Sequence, residues 1–76
     1  MEDYKLRLVD EYKQLKDRYE KLHWLIVKHD AHVLDFKLNC DIDLLKTQAS
    51  IMGQYLNILE IRAVIEHIDL QKGVKT

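Results

Sequence analysis

The residues of this chain that best suit a chemical role are aromatic and cationic side chains at helical spacing. Tyr4 and Arg7 lie three residues apart. A helix would place them on one side, where an aromatic ring can stack a base and a guanidinium can hold a phosphate. Further cations are supplied by Lys5, Arg18 and Lys21, and the last two lie about one helical turn apart. A solvated helix start explains Tyr4 and Arg7 equally well.

A second polar line recurs every seven residues in the other half of the chain, at Gln48, Tyr55 and Arg62. A repeat of seven keeps side chains on one face of a helix. Tyr55 is either a ligand contact or a core aromatic with its hydroxyl at the rim. Arg62 either binds a ligand or forms an ion pair between subunits, with Glu11 or Glu66 as its partner.

Catalytic and metal-binding residues are poorly represented. The four histidines include His29 and His32, which a helix would bring together, but zinc sites need three or four ligands. We interpret them as a polar helix end. Cys40 beside Asp41 is interpreted as a structural cysteine rather than an activated thiolate. The sequence contains no Ser-His-Asp set, phosphate loop or dinucleotide fingerprint. We therefore expect no enzyme activity, no metal and no cofactor.

Two helices are predicted to position these residues within a single domain, 1–76. The first helix spans about 3–29, a connector about 30–40 and the second helix about 41–68, with a frayed tail at 71–76. Asp41 is the predicted N-cap of the second helix. The connector is too apolar for a solvated loop and is expected to fold back onto the helices. The first helix carries a coiled-coil-like seam of Leu8, Tyr12, Leu15, Tyr19, Leu22 and Ile26. Tyr12 and Tyr19 are therefore interpreted as core aromatics.

The second helix is apolar on two adjacent stripes. The first stripe is Leu45, Ala49, Met52, Leu56, Leu59 and Ala63, and the second stripe is Leu44, Ile51, Tyr55, Ile58 and Ile65. One stripe suffices for one partner helix, so two stripes predict at least two neighbours. A chain of 76 residues with one cysteine has no internal disulfide to stabilise it. We therefore expect another copy of the chain to cover the second stripe.

Composition narrows the possible partners. The net charge of −1 argues against a sequence-independent grip on nucleic acid polymers but permits a small anion held by local cations. The longest apolar runs are four residues, too short for a membrane span or a secretory signal. A single cysteine suits a reducing cytoplasm.

Both helices resemble those of a set of small phage proteins. The first helix does so through Arg7-Leu-Val-Asp-Glu11, Leu15 to Arg18 and Lys21-Leu22. The second does so through Leu44-Leu45-x-x-Gln48-x-x-x-Met52-x-x-Tyr55-x-x-Ile58-Leu59-x-x-Arg62, which is the more specific pattern. The set is the phage helical-hairpin family that includes the anti-CBASS cyclic-nucleotide sponge and a related hairpin in an anti-Thoeris sponge. The resemblance covers about Tyr4 to Ile65.

The resemblance implies an all-α, two-helix antiparallel hairpin that assembles into an interlocked homo-oligomer, a hexamer. Its partner would be a cyclic di- or trinucleotide, or a signal like cyclic ADP-ribose, captured without cleavage in the cytoplasm of the infected bacterial host. Tyr4 would stack a base, and phosphates would be held by Arg7, Arg18 and Lys21. Tyr55 and Arg62 would serve a second pocket or the subunit seam. The full set of candidate ligand-binding residues is Tyr4, Arg7, Glu11, Arg18, Lys21, Tyr55 and Arg62. The alternative is a small helical adaptor or inhibitor that binds a host protein through the second stripe.

Overall fold

The structure, a computed structural model, describes residues 3–70. It consists of two helices, α1 from Asp3 to Asp30 and α2 from Ile42 to Ile65, and this part of the chain contains no strand. The helices run antiparallel, since Tyr4 near the start of α1 contacts Glu66 just after α2, while Tyr19 lies against Gly53. The all-α hairpin predicted from the sequence is therefore confirmed.

The core lies toward the open end of the hairpin. It joins Leu8, Val9 and Tyr12 of α1 to Leu56, Leu59 and Ala63 of α2, with Ile68 folded onto them. Leu59 is fully buried. Toward the connector the predicted seam is only half-buried at Leu15, Tyr19, Leu22 and Ile26. The radius of gyration is 15.1 Å, against roughly 11 Å for a compact domain of this length. One hairpin is thus an elongated object with a small core.

The end of α1 is largely uncovered in the single chain. Trp24 is 58% exposed, and Val27 is also exposed. The physical reason is that α2 covers only one side of α1, and the connector is too short to cover the rest. Leu34 and Leu38 of the connector are half-buried, whereas Val33 and Phe36 remain exposed.

The start of α2 is capped by the residue that the sequence predicted. Asp41 is the N-cap, and its carboxylate accepts a hydrogen bond of 3.1 Å from the Asp43 backbone N–H. Lys46, one turn into α2, forms an ion pair of 3.3 Å with Asp30 at the end of α1. Hydrogen bonds from His29 and Lys46 hold the pKa of Asp30 below its ordinary value. These contacts join the two helix ends that flank the connector.

Both helices end in the same motif. His32 and His67 adopt positive φ angles of 61° and 58° just past α1 and α2. The next residue in each case donates a hydrogen bond back across the last turn, Val33 to Lys28 and Ile68 to Ala63. This is the Schellman arrangement, which usually carries glycine at the left-handed position. It ends α2 at Ile65, three residues before the end expected from periodicity, because Ile68 turns back into the core.

Candidate ligand-binding face

The candidate residues of α1 fall on one line. Tyr4, Glu11 and Arg18 recur every seven residues, and Arg7 lies one turn from both Tyr4 and Glu11. Tyr4, Arg7 and Arg18 are exposed, and Glu11 is half-buried. The line runs beside the seam, so its side chains border the contact with α2 without entering the core.

The candidate residues of α2 form the matching line of Gln48, Tyr55 and Arg62, all of them exposed. Two hydrogen bonds show on which side of the hairpin each line lies. The Tyr4 hydroxyl donates to Glu66 Oε2 at 3.1 Å. Arg62 lies one turn before Glu66 on α2, on the same side of that helix. The Tyr4–Glu66 bond therefore lies at the edge of the helix–helix contact along which both lines of residues run.

The second hydrogen bond marks the opposite edge, where the Tyr12 hydroxyl donates to Glu60 Oε2 at 2.8 Å. The structure therefore brings both lines to one side of the molecule, here called the tyrosine–arginine face. It comprises Tyr4, Arg7, Glu11, Arg18, Gln48, Tyr55 and Arg62. Sequence periodicity predicted each line separately but not that they share a side.

The antiparallel register sets which members of the face lie level with each other. Because Tyr4 pairs with Glu66 and Tyr19 lies against Gly53, Arg18 lies level with Tyr55, and Glu11 with Arg62, to within about one helical turn. Two positions of α1 on this face are therefore level with two positions of α2. The groups at each level are a guanidinium and an aromatic ring in the first case, and a guanidinium and a carboxylate in the second, with no ion pair between them among residues 3–70.

The arginines of this face are available for an external anion. Among residues 3–70, no carboxylate lies within ion-pair distance of Arg7, Arg18 or Arg62. Glu66, one of the proposed partners of Arg62, instead accepts the hydrogen bond from Tyr4. An unpaired guanidinium keeps its planar donors free for a phosphate or carboxylate.

Lys21 does not lie with the other candidates. It forms an ion pair of 3.1 Å with Asp17 and lines a cleft with Trp24 and Phe36 on the outer side of α1. The reason is geometric: a step of three from Arg18 turns Lys21 away from the seam, whereas a step of seven keeps a residue beside it.

Tyr12 and Tyr19 occupy the hairpin contact, as expected for core aromatics. Tyr12 is 7% exposed and belongs to the core, and Tyr19 packs against that core. Burial, together with the hydrogen bond to the Glu60 carboxylate and its negative charge, raises the pKa of Tyr12 to about 12. Both side chains thus have a structural role within the single chain.

The second stripe of α2 is exposed along its whole length. The stripe residues Leu44, Ile51, Tyr55, Ile58 and Ile65 are all exposed, as are the neighbouring Ile61 and Val64. Gln48 and Arg62 interrupt this stripe. A row of exposed apolar side chains of this kind on a small protein indicates an interaction site. The tyrosine–arginine face and the second stripe overlap at Tyr55.

Three clefts formed by residues 3–70 lie elsewhere. Their linings exclude all seven residues of the tyrosine–arginine face. Within one chain that face is therefore an open surface. Phe36 and Trp24 line a cleft together. Trp24 was not among the predicted binding residues, and its only sequence signal was its apolar character near the end of the first helix.

His29, His32 and Cys40 line one cleft near the connector, yet residues 3–70 contain no group of three or more side chains that could hold a metal ion. Neither helix in this region is long and apolar enough to cross a membrane.

The Sequestin family model matches residues 2–65, which is most of the chain, and the chain belongs to that family. Sequestin is the anti-CBASS and anti-Thoeris phage sponge family, so the family resemblance found in the sequence is confirmed. Its members sequester and are not known as enzymes. No curated protein and no solved structure matches the chain significantly.

Proposed function

We propose that this protein is a phage immune-evasion sponge that binds a cyclic oligonucleotide signal of the CBASS type, or a related nucleotide signal, and holds it without cleavage. The observation that carries the proposal is the tyrosine–arginine face of this Sequestin family member. On it, three guanidiniums that have no ion-pair partner among residues 3–70 lie beside two exposed tyrosines. Tyrosine rings stack bases and guanidiniums hold phosphates.

We assign the residue roles from side-chain chemistry and from position on the tyrosine–arginine face. Tyr4 and Tyr55 supply stacking surfaces, and Arg7, Arg18 and Arg62 hold phosphate oxygens. Glu11 accepts hydrogen bonds from base or ribose donors, or neutralises Arg62 of a second copy. Because each face is open in one chain, a second copy must close it into a pocket. Closed symmetric assembly repeats such a pocket in every subunit.

The second stripe supplies the assembly contact. Its exposed isoleucines and leucine would be covered by neighbouring copies in a homo-oligomer, which we propose is a hexamer acting in the cytoplasm of the infected bacterium. Sequestration needs only tight binding and a high copy number, since removing the signal from solution leaves host effectors unactivated.

Native mass spectrometry tests the proposal directly. The purified protein is measured alone and with a defined mixture of cyclic di- and trinucleotides and cyclic ADP-ribose isomers. We expect a closed oligomer that gains whole nucleotides of unchanged mass. A monomer or dimer that binds none of these nucleotides would contradict the sponge proposal.

Two substitutions separate ligand contacts from assembly contacts. Arg7→Ala and Arg18→Ala should each weaken nucleotide binding by roughly 10- to 100-fold, the range for losing a charge-assisted hydrogen bond, while leaving the oligomer intact. Lys13→Ala is the matched control, because it removes a cation from α1 away from the tyrosine–arginine face. Dissociation of the Arg7 variant would instead make Arg7 an assembly residue.

A second candidate function rests on the same exposed stripe. A small helical adaptor or inhibitor would use the apolar surface of α2 against a host protein helix. A sponge buries this stripe in its own closed oligomer, whereas an adaptor leaves it accessible. Binding of an apolar-surface dye to the purified protein at micromolar concentration would favour the adaptor.

A further inference from the structure

A separate cleft lies on the outer side of α1, away from the tyrosine–arginine face. The connector folds over the end of α1 and leaves a cavity of about 430 Å³, which lies within the usual range for small-ligand sites. Its apolar lining comprises Trp24, Leu25, Leu34 and Phe36. Trp24 is 58% exposed and Phe36 is 55% exposed, so both rings are open to a ligand.

Two lysines bracket the tryptophan. Lys21 lies one turn before Trp24 and Lys28 one turn after it, and both line the cleft. The Lys21 ammonium is held by Asp17 at 3.1 Å. The Lys28 ammonium has no carboxylate within ion-pair distance among residues 3–70. Asp17 and Glu20 also line the cleft, so its one unpaired cation lies at the Lys28 end.

The tryptophan ring is supported from one side. His23 meets Trp24 edge to face, with ring centres 5.6 Å apart, and His23 in turn stacks on Tyr19 at 6.1 Å. This aromatic row orients the indole from the α1 side and leaves its exposed surface to the cleft. An oriented indole loses little freedom on binding, which favours stacking of a planar ring.

We propose that this cleft binds the base of a nucleotide, stacked on Trp24 and covered by Phe36, with the attached phosphate on Lys28. The inference deepens the proposed function and rests on it, since it adds a second nucleotide contact outside the tyrosine–arginine face. A purely apolar partner would make no use of the unpaired ammonium beside the ring. A nucleotide uses both features, because every base has a stacking surface and every phosphate needs a cation.

Trp24 is the only tryptophan in the chain, so its fluorescence reports on this cleft alone. The full chain is titrated with adenosine monophosphate, adenosine and inorganic phosphate, used as separate probes. We expect saturable quenching by the monophosphate, about tenfold weaker binding of adenosine because the contact with Lys28 is missing, and no response to phosphate alone. Absence of quenching by the monophosphate would overturn the proposal.

Substitutions identify the contacts. Lys28→Gln should weaken the monophosphate about tenfold and leave adenosine unchanged, whereas Phe36→Leu should weaken both. Lys13→Gln is the control on the same helix and should change neither. A Trp24 signal that follows protein concentration rather than nucleotide would show that a second copy covers the cleft, and would overturn the proposal.

Arg18→Ala separates this inference from the proposed function. If binding of the monophosphate, read from Trp24, is unchanged in Arg18→Ala and about tenfold weaker in Lys28→Gln, the cleft binds nucleotide independently of the tyrosine–arginine face. If that binding is lost in Arg18→Ala and unchanged in Lys28→Gln, the cleft proposal is overturned and the sponge proposal stands. The sponge proposal is tested separately by native mass spectrometry. Absence of cyclic-nucleotide uptake there would contradict it.

Discussion

The Tyr12 hydroxyl donates a hydrogen bond of 2.8 Å to Glu60 Oε2 and so joins the two helices at one edge of the core. Tyr12 is buried, and Lys16 lies over its ring at 5.7 Å. One side chain therefore supplies core packing and a polar cross-link. On the other edge the Tyr4–Glu66 bond has the same chemistry in a more exposed setting. The two bonds set the register that aligns the tyrosine–arginine face.

Removing the Tyr12 hydroxyl tests this cross-link. Tyr12→Phe should lower the free energy of unfolding by about 1 kcal/mol, the usual net value of such a bond, as measured by urea unfolding at fixed protein concentration. Tyr19→Phe is the control, because the Tyr19 hydroxyl makes no hydrogen bond within residues 3–70. Equal effects of the two substitutions would contradict a special role for the Tyr12 bond.

The same bond predicts a loss of stability at alkaline pH. Folding raises the pKa of Tyr12 from 10.0 to about 12, so between these values the unfolded chain releases a proton that the folded chain keeps. This stabilisation is complete below about pH 10 and is lost as the pH rises toward 12. The difference in stability between wild type and Tyr12→Phe should therefore shrink across that interval. A difference independent of pH would count against the assignment.

Gly53 lies in the middle of α2 beside the ring of Tyr19. A Cβ at this position would lie 3.5 Å from Tyr19 Cε1, an ordinary van der Waals contact. Gly53→Ala should therefore stabilise the single hairpin by up to about 1 kcal/mol through helix propensity. Thermal unfolding by circular dichroism measures this, with Ser50→Ala as a control for a helix substitution elsewhere. Destabilisation together with loss of the oligomer would show that another chain approaches Gly53.

His67 occupies a left-handed position at the end of α2, with φ of 58°. Glycine adopts this conformation without strain, so His67→Gly should stabilise the hairpin by about 1 kcal/mol, and His32→Gly should act in the same direction at the end of α1. His23→Gly, inside α1, is the matched control and should destabilise by a similar amount. Loss of stability in His67→Gly would mean that the imidazole makes a contact in the assembly.

The second stripe can be tested apart from the core. Ile58 is exposed in the single chain, so Ile58→Asp should leave helix content unchanged and shift the protein to smaller species in sedimentation velocity. Asn57→Asp adds the same charge at the neighbouring exposed position and should leave the assembly intact. An Ile58→Asp variant that keeps its oligomeric state would place the subunit contact elsewhere.

Much of this architecture was determined by the sequence alone. Periodicities of 3.6 and seven predicted the two helices, the seam of α1 and the two stripes of α2, because side-chain spacing directly sets which face a residue occupies. Asp41 identified the start of α2 through its capping chemistry. The second-helix pattern identified the family. Each of these features depends on residues close together in the chain.

Only the tertiary structure decided the rest. Whether the lines of Tyr4 and Arg62 share a side depends on the hand and register of helix packing, which local spacing leaves open. Tertiary packing also ended α2 at Ile65, because Ile68 gains core contacts by turning back. The exposure of Trp24 and Phe36 has the same origin. One hairpin has too few elements to cover every apolar side chain that its sequence supplies.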